Sequence, residues 1–380
     1  MERKNMNINI RENSVSIQTA KTINALQAAV DQAEKESLPS FTYFNDADVV
    51  SWYLYTSDKL LTERSRSKRT TKSYEREIKQ FIQYIYMYQD EMGLDVEWQE
   101  QQFLRSLSPR HLRKYQEWLV KSSPYVKTNF EKKKPGYSVA TLTTKTTILK
   151  QFFRFLYDKK YISEPLHEGL KSISVNSDDR PNRDMGTEDV VRVLEAFIKT
   201  KNIFAFTIVQ LLVATGIRNE ELCTLQIKSI KRNINGEEYL EILGKGNKRR
   251  DVPLKSSVKQ SIIYYRQARN VEPLEYAAAD SPLIPTKTGA FFSASYLTQT
   301  LCKEMAKIQE HLPFDTNRIT PHIFRHAFAI ISHENDVSVH DIMRSLGHER
   351  LDTTMIYLEK IFDQERHASH QWTNAISNYL

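Results

Sequence analysis

Residues 320–326 of this chain are Thr-Pro-His-Ile-Phe-Arg-His, and residues 346–357 are Leu-Gly-His-Glu-Arg-Leu-Asp-Thr-Thr-Met-Ile-Tyr. Pro321 suits the first position of a helix, and His322 and Arg325, three residues apart, then share one helix face. Gly347 is typical of the residue that ends a helix, and the chain after it reverses into another helix that carries Tyr357. These two stretches predict a helical fold in which histidines, an arginine and a phenol lie close together.

A third stretch, residues 214–222, is Ala-Thr-Gly-Ile-Arg-Asn-Glu-Glu-Leu. An apolar helix ending before Gly216 would place Arg218 at the start of the next short helix, with Glu221 one turn further on. An arginine guanidinium is planar and binds a phosphate through two parallel hydrogen bonds. Arg218 is therefore a candidate phosphate ligand, and Glu221 is a candidate partner that holds it.

Each of these features also has an ordinary structural explanation. An arginine and a glutamate three residues apart are often a surface ion pair. A histidine near the start of a helix is often only a cap beside a surface arginine. A tyrosine such as Tyr357, on an apolar stripe with Met355 and Ile361, is often part of the core.

Residues 226–254 are the one strand-rich stretch, with two strands flanking the turn Gly-Lys-Gly-Asn at 244–247. A lysine at the tip of a hairpin, here Lys245, can reach into a groove and protonate a leaving oxygen. A solvated hairpin lysine is the ordinary alternative. The basic residues after the turn are expected to contact phosphates: Lys248, Arg249 and Arg250.

A metal site is not expected. His322 and His326 have the i, i+4 spacing of a helical zinc pair, but the cationic Arg325 between them would be unfavourable beside a dication. Cys223 and Cys302 are the only cysteines and form no CxxC pair, which argues against a zinc framework or a disulfide scaffold. We therefore expect no metal, no other cofactor, and a reducing compartment.

The composition fits a folded protein with a polyanionic partner. The chain has 380 residues, 40% of them hydrophobic, which predicts about two domains with cores of their own. Its net charge is +7, and its pI is about 9.0. No apolar run reaches about 18 residues, and residues 1–13 lack the apolar stretch of a signal peptide, so a cytoplasmic location is expected.

The pattern along the chain predicts five segments. These are a polar arm at 1–40, a helical domain at 41–171, a linker at 172–183, a mostly helical second domain at 184–362, and a tail helix at 363–380. In the first domain, residues Ile78, Phe81, Ile82 and Ile85 form one apolar stripe of a helix. The chain is thus expected to be mainly α.

Taken together and in this order, the stretches resemble the tyrosine recombinase (phage integrase) family over residues 184–360. The resemblance implies a helical, SAM-like core-binding domain followed by an α+β catalytic domain with a small antiparallel β-sheet. It assigns the catalytic positions to Arg218, Lys245, His322, Arg325, His348 and Tyr357.

The resemblance also implies the chemistry. Tyr357 would attack a DNA phosphate, form a 3′-phosphotyrosyl link and release a 5′-hydroxyl. The two arginines would clamp the non-bridging oxygens with the two histidines assisting, Lys245 would be the general acid, and Glu221 would support the site. Because the covalent link conserves the energy of the broken bond, neither ATP nor a metal would be required.

Double-stranded DNA is the partner that the resemblance implies, bound by a homo-tetramer on paired sites. Accessory DNA-bending proteins are compatible with it, and the tail helix would dock on a neighbouring protomer. The predicted DNA-binding side chains are Arg69, Lys72, Arg76, Lys79, Lys132, Lys133, Lys248 and Arg249. On the first helix, Lys72, Arg76 and Lys79 lie opposite the apolar stripe.

Two alternatives remain open at this point. A relaxing enzyme similar to type IB topoisomerases would use the same chemistry without a partner site. A DNA-binding regulator without enzymatic activity would have no need of Tyr357.

Overall fold

The computed structural model describes residues 9–11, 14–16, 19–56, 67–98, 102–121, 136–175, 184–316 and 319–365. The chain divides into two compact units, Met1–Pro181 and Asn182–Leu380. The division falls inside the segment 172–183, for which the sequence predicts a linker.

The first unit is helical, with one short antiparallel pair of strands near its start. Its elements are β1 (Asn9–Arg11), β2 (Ser14–Ser16), α1 (Ile23–Lys35), α2 (Asp46–Tyr55), α3 (Lys68–Met92), α4 (Pro109–Lys121) and α5 (Val139–Asp158). Helix α1 lies within the stretch predicted as an arm, and its Leu26 and Val30 are buried in the core of this unit.

Helix α3 is the central helix of the first unit and packs against α2, α4 and α5. The predicted apolar stripe is confirmed, because all four of its side chains are completely buried: Ile78, Phe81, Ile82 and Ile85. On the opposite face, the Lys72 and Arg76 side chains are exposed. Burial therefore fixes which face of α3 is left for a ligand. Lys132 and Lys133 lie outside the described residues.

Asp46 is one of the carboxyl groups buried in the first unit. Asp46 is only 1% exposed and accepts hydrogen bonds from the Tyr161 hydroxyl at 2.7 Å and from the backbone N–H of Leu104 at 3.0 Å. Burial raises the pKa of Asp46 to about 6, and these hydrogen bonds reduce the rise only in part. This group therefore ties the stability of the first unit to pH.

The second unit is also mainly helical and carries a small antiparallel sheet in the order β3-β4-β5, as predicted. Its elements are α6 (Thr187–Lys199), α7 (Ile203–Thr215), α8 (Asn219–Thr224), β3 (Ile230–Arg232), β4 (Glu238–Leu243), β5 (Arg249–Pro253), α9 (Ser256–Ala268), α10 (Ala294–Lys307), α11 (Pro321–Glu334), α12 (Val339–Leu346) and α13 (Leu351–Glu365).

Helix α7 is the centre of the second unit because it is apolar on every side, with the sequence Ile-Phe-Ala-Phe-Thr-Ile-Val-Gln-Leu-Leu-Val-Ala-Thr. It packs against α6, α9, α10 and α11. Gly216 ends it in a left-handed conformation, with φ of 60°. A Cβ atom there would lie 2.7 Å from the Phe328 ring, so glycine is required by backbone and by packing.

Helices α11, α12 and α13 share a smaller apolar cluster apart from the main core. Pro321 occupies the first turn of α11, and Gly347 ends α12 with φ of 65°, both as predicted. Helix α13 ends at Glu365. The rest of the predicted tail 363–380 lies outside the described residues. Among the described residues, no helix has both the length and the apolarity to cross a membrane.

We predict that Asp46→Asn changes how stability depends on pH. In the wild type, the folded-state pKa of about 6 exceeds the ordinary value of 3.8, so the stabilisation is complete below pH 3.8 and lost as pH rises through 6. Relative to Asp46→Asn, the wild-type free energy of unfolding should fall by roughly 2 to 4 kcal/mol between pH ~4 and ~7.5.

Urea unfolding followed by tryptophan fluorescence measures this difference, since Trp52, Trp98 and Trp118 all lie in the first unit. A difference between the two proteins that stays constant across this pH range would contradict the prediction.

Candidate active site

Arg218 and Glu221 meet at the start of α8. Arg218 is the residue before the helix, and its Nη1 donates to Oε1 of Glu221 at 2.9 Å, while its backbone N–H donates to Oε2 at 2.8 Å. The Arg218 side chain remains 36% exposed. Glu221 thus orients Arg218 while part of the guanidinium stays open to a ligand.

Arg325 is held far more tightly. It is 1% exposed, with Nη1 donating to the Gly216 carbonyl at 2.5 Å and Nη2 donating to the Leu346 carbonyl at 2.7 Å. Burial lowers the pKa of Arg325 to about 10, so the group is still cationic at neutral pH. The carbonyl oxygens compensate for the cost of burying this charge.

His348 is fixed in one tautomer by its two neighbours. Its Nε2 lies 2.9 Å from Nη2 of Arg325, which can only donate, so Nε2 is the acceptor. Nδ1 therefore carries the proton and donates to the Thr354 hydroxyl at 2.9 Å. Burial, followed by the charges of Arg325 and Arg218, lowers the pKa of His348 to about 3, so the imidazole is neutral at physiological pH.

Three successive carbonyl groups at the end of α12 each accept from a different arginine. Ser345 accepts from Nε of Arg250 at 3.1 Å, Leu346 from Arg325, and Gly347 from Nη2 of Arg218 at 3.5 Å. The C-terminal end of a helix carries partial negative charge and unpaired carbonyls. This helix end is therefore what gathers the guanidinium groups.

The phenol of Tyr357 lies within this cluster. Tyr357 is 9% exposed, and its ring lies 3.7 Å from the His326 ring between centroids. The centroid distances to the rings of His348 and His322 are 5.3 and 5.9 Å. The structure therefore places the predicted phenol next to the histidine that binds the buried arginine.

His322 and His326 form a pair, with 3.2 Å between their Nε2 atoms. His322 is exposed at the start of α11, while His326 is buried under the Tyr357 ring. From the sequence, His326 is considered only as half of a possible zinc pair. Its position next to Arg325 does not indicate that its ring stacks on the Tyr357 ring. In the part of the chain described, no group of three or more His, Cys, Asp or Glu side chains is arranged to hold a metal.

The β4–β5 hairpin carries the basic residues that the sequence predicts as phosphate contacts. Lys245 lies in the turn Lys245–Asn247 between β4 and β5, and its side chain is outside what the structure describes. The exposed Lys248 pairs with Glu349, and the exposed Arg249 pairs with Glu241. Both of these pairs lie at the surface, so solvent screens them and their partners can be exchanged.

Arg250 differs from the expectation that it contacts phosphate. Its Nη1 and Nη2 donate to both oxygens of Glu221, at 3.0 and 2.7 Å, and its side chain is only 13% exposed. The nearby buried carboxylate outcompetes solvent for this guanidinium. Burial alone would raise the pKa of Glu221, but the hydrogen bonds from Arg250 and Arg218 lower it to about 2. The Arg250 contacts connect distant segments, and the Thr354–His348 contact spans six residues across the break between α12 and α13, so the sequence pattern indicated neither of them.

Comparisons with known proteins agree with this fold. Residues 184–364 match the model of the phage integrase family. The tyrosine recombinase XerD of Chlamydia trachomatis serovar D is 30% identical over 227 residues, which cover 58% of this chain and 70% of that protein. The fold and these matches thus define a DNA strand-transferring enzyme. The chain belongs to the tyrosine recombinase family, whose members carry out site-specific DNA recombination.

Two solved structures have the same fold. The recombinase XerH, in a post-cleavage complex with its palindromic difH substrate, gives a TM-score of 0.56 at 20% identity, covering 77% of this chain and 79% of that one. A lambda integrase tetramer bound to a Holliday junction gives 0.53 at 13% identity, covering 89% and 82%.

We predict that Thr354→Val slows strand cleavage about 10-fold, because loss of one buried hydrogen bond costs roughly 1 to 2 kcal/mol. Valine keeps the shape but leaves Nδ1–H of His348 without its acceptor, which loosens the imidazole that accepts from Arg325. Single-turnover formation of the covalent protein–DNA complex measures the rate.

Thr353→Val is the matched control, because this neighbouring side chain is exposed on α13. Equal cleavage rates for Thr354→Val and the wild type would show that the His348 tautomer does not matter.

Proposed function

We propose that Tyr357 is the nucleophile of this recombinase, and that Arg218 and Arg325 hold the scissile phosphate of duplex DNA in front of it. The position of the Tyr357 ring carries the proposal: it lies 5.3 Å between centroids from the ring of His348, which accepts from Arg325, and attack requires the phenol beside the phosphate's cationic clamp. Arg218, with its open side, would bind a second non-bridging oxygen.

Charge develops on the phosphate oxygens as the tyrosine oxygen bonds to phosphorus and the bond to the 5′ oxygen breaks. Fixed cations stabilise that charge without rearranging, which is the largest source of rate enhancement in many enzymes. His348 would act by holding Arg325, since its own nitrogens are both engaged. His322, exposed at the start of α11, would assist at the phosphate, and Lys245 would protonate the leaving 5′ oxygen.

The first unit is proposed to bind the same duplex through α3. Lys72 and Arg76 are exposed on the face opposite the buried stripe, and Arg69 is exposed one turn earlier. Lys79 pairs with Glu75 on the same helix. A row of basic side chains along one helix is suited to a phosphate backbone. Lys132 and Lys133 stay predicted contacts.

A homo-tetramer on two paired sites is the proposed assembly, supported by the fold shared with the lambda integrase tetramer. The tail after Glu365 is the proposed contact to the neighbouring protomer. Accessory DNA-bending proteins would act on the DNA around the sites. A relaxing enzyme would instead act as a monomer, so relaxation of supercoiled plasmid without any recombination product would favour that alternative.

Tyr357→Phe should abolish the covalent protein–DNA complex while DNA affinity stays within about twofold of the wild type, because only the attacking oxygen is removed. The core site is first recovered by sequencing the DNA that remains attached to denatured wild-type protein from cells. A nicked duplex of that site then traps the covalent complex for gel analysis.

Tyr264→Phe, an exposed tyrosine on α9, is the control and should leave the complex intact. Covalent attachment of Tyr357→Phe to the nicked duplex would rule out Tyr357 as the nucleophile.

Lys72→Ala should weaken binding of any duplex and reduce the slope of log affinity against log salt by about 1, since one phosphate contact releases roughly 0.9 counterions. Fluorescence anisotropy at four salt concentrations measures both quantities. Lys159→Ala is the matched control, because Lys159 is an exposed lysine at the C-terminal end of α5. An unchanged slope for Lys72→Ala would remove α3 from the DNA interface.

A further inference from the structure

Arg250 links three parts of the second unit that are distant in sequence. It lies on β5, opposite Ile242 of β4, and its side chain extends away from the sheet. Its two terminal nitrogens bind both oxygens of Glu221 on α8, and its Nε binds the Ser345 carbonyl on α12. The guanidinium is therefore engaged on both edges, in the planar geometry that only arginine provides.

The turn of the hairpin rests on this ion pair. A Cβ atom on Gly244 would lie 3.4 Å from Nη1 of Arg250 and 3.4 Å from Oε1 of Glu221, which is van der Waals contact. Gly244 also closes the turn, its N–H donating to the Lys248 carbonyl at 2.7 Å. The residue directly before Lys245 is thus seated on the Arg250–Glu221 pair.

The Arg250–Glu221 ion pair also affects the net charge around Arg218. Glu221 is buried and ionised, and without Arg250 its negative charge would be offset by Arg218 alone. With Arg250 bound to both carboxylate oxygens, Arg218 keeps attractive charge for an anion. Arg250 therefore has a structural effect on the hairpin and an electrostatic effect on its neighbour.

We propose that Arg250 is a positioning residue that fastens the β4–β5 hairpin to α8 and α12 and so places Lys245 at the scissile linkage. This role rests on the proposed function of Lys245 as general acid. Arg250 itself touches neither the phosphate nor the leaving oxygen. If the hairpin is released, the proton donor is lost while Tyr357 and Arg325 keep their contacts.

Two nicked duplexes of the recovered core site separate this role from a general loss of structure. One has an ordinary scissile phosphodiester, and the other has sulfur in place of the bridging 5′ oxygen. A thiol ionises near pH ~8.5, far below an alcohol, so a thiolate leaves without needing a proton. The sulfur duplex therefore makes cleavage independent of the general acid.

Arg250→Gln should cleave the oxygen duplex about 100-fold more slowly than the wild type, the loss typical of a displaced general acid. On the sulfur duplex it should recover to within about fivefold, the remaining loss being its electrostatic effect on Arg218, and Lys245→Ala should also recover to within about fivefold. Arg218→Ala should stay impaired on both duplexes, since its role at the phosphate is unaffected by the leaving atom. Arg232→Gln, an exposed arginine of the same sheet paired with Glu238, is the control and should match the wild type.

Arg250→Lys keeps the positive charge but not the planar guanidinium. Its cleavage rate on the oxygen duplex should therefore fall less than that of Arg250→Gln, and its rate on the sulfur duplex should recover. It decides the question if Arg250→Gln fails to fold, which thermal unfolding detects. The inference is overturned if a folded Arg250 variant cleaves both duplexes equally slowly. It is also overturned if such a variant cleaves the oxygen duplex as fast as the wild type does. If Lys245→Ala is not recovered by sulfur, the proposed function of Lys245 is wrong instead.

Discussion

The end of helix α12 is the constraint on which the site depends. Three guanidinium groups, two of them largely buried, bind three successive carbonyls at this helix end, and their mutual repulsion would separate them in an open structure. The carbonyls of residues 345–347 counter that repulsion because each gives one arginine an acceptor. Gly347 makes the arrangement sterically feasible: its φ is 65°, and a Cβ atom there would lie 3.2 Å from Arg250.

Two further groups keep the cluster cationic without making it unstable. Glu221 provides one negative charge, shared by two arginines, so a net positive charge remains for a phosphate. His348 adds no charge, because the surrounding cations and burial keep it neutral, and it acts instead as an acceptor for Arg325. The site is thus preorganised for an anion before any DNA arrives.

Much of the fold could be predicted from the sequence, because its signals are local. The Ile78–Ile85 stripe, the helix start at Pro321 and the helix end at Gly347 each depend on neighbouring residues alone. The order of the motifs was enough to identify the family. The contacts of Arg250, Thr354 and His326 could not be predicted, because each is made to a partner more than three residues away or by ring stacking. Lys132, Lys133 and the tail remain predictions.

Tyr357 is anchored differently from the arginines it faces. Arg218 precedes α8 and Arg325 lies on α11, and both of these helices contribute buried side chains to the main core around α7. Helix α13 contributes Tyr357, Leu358 and Phe362 to the small cluster instead. Regions with few buried apolar contacts open at lower free energy than the global transition, as separate cooperative units. Helix α13, which carries the proposed nucleophile Tyr357, is therefore expected to open at a lower free energy than the helices around α7.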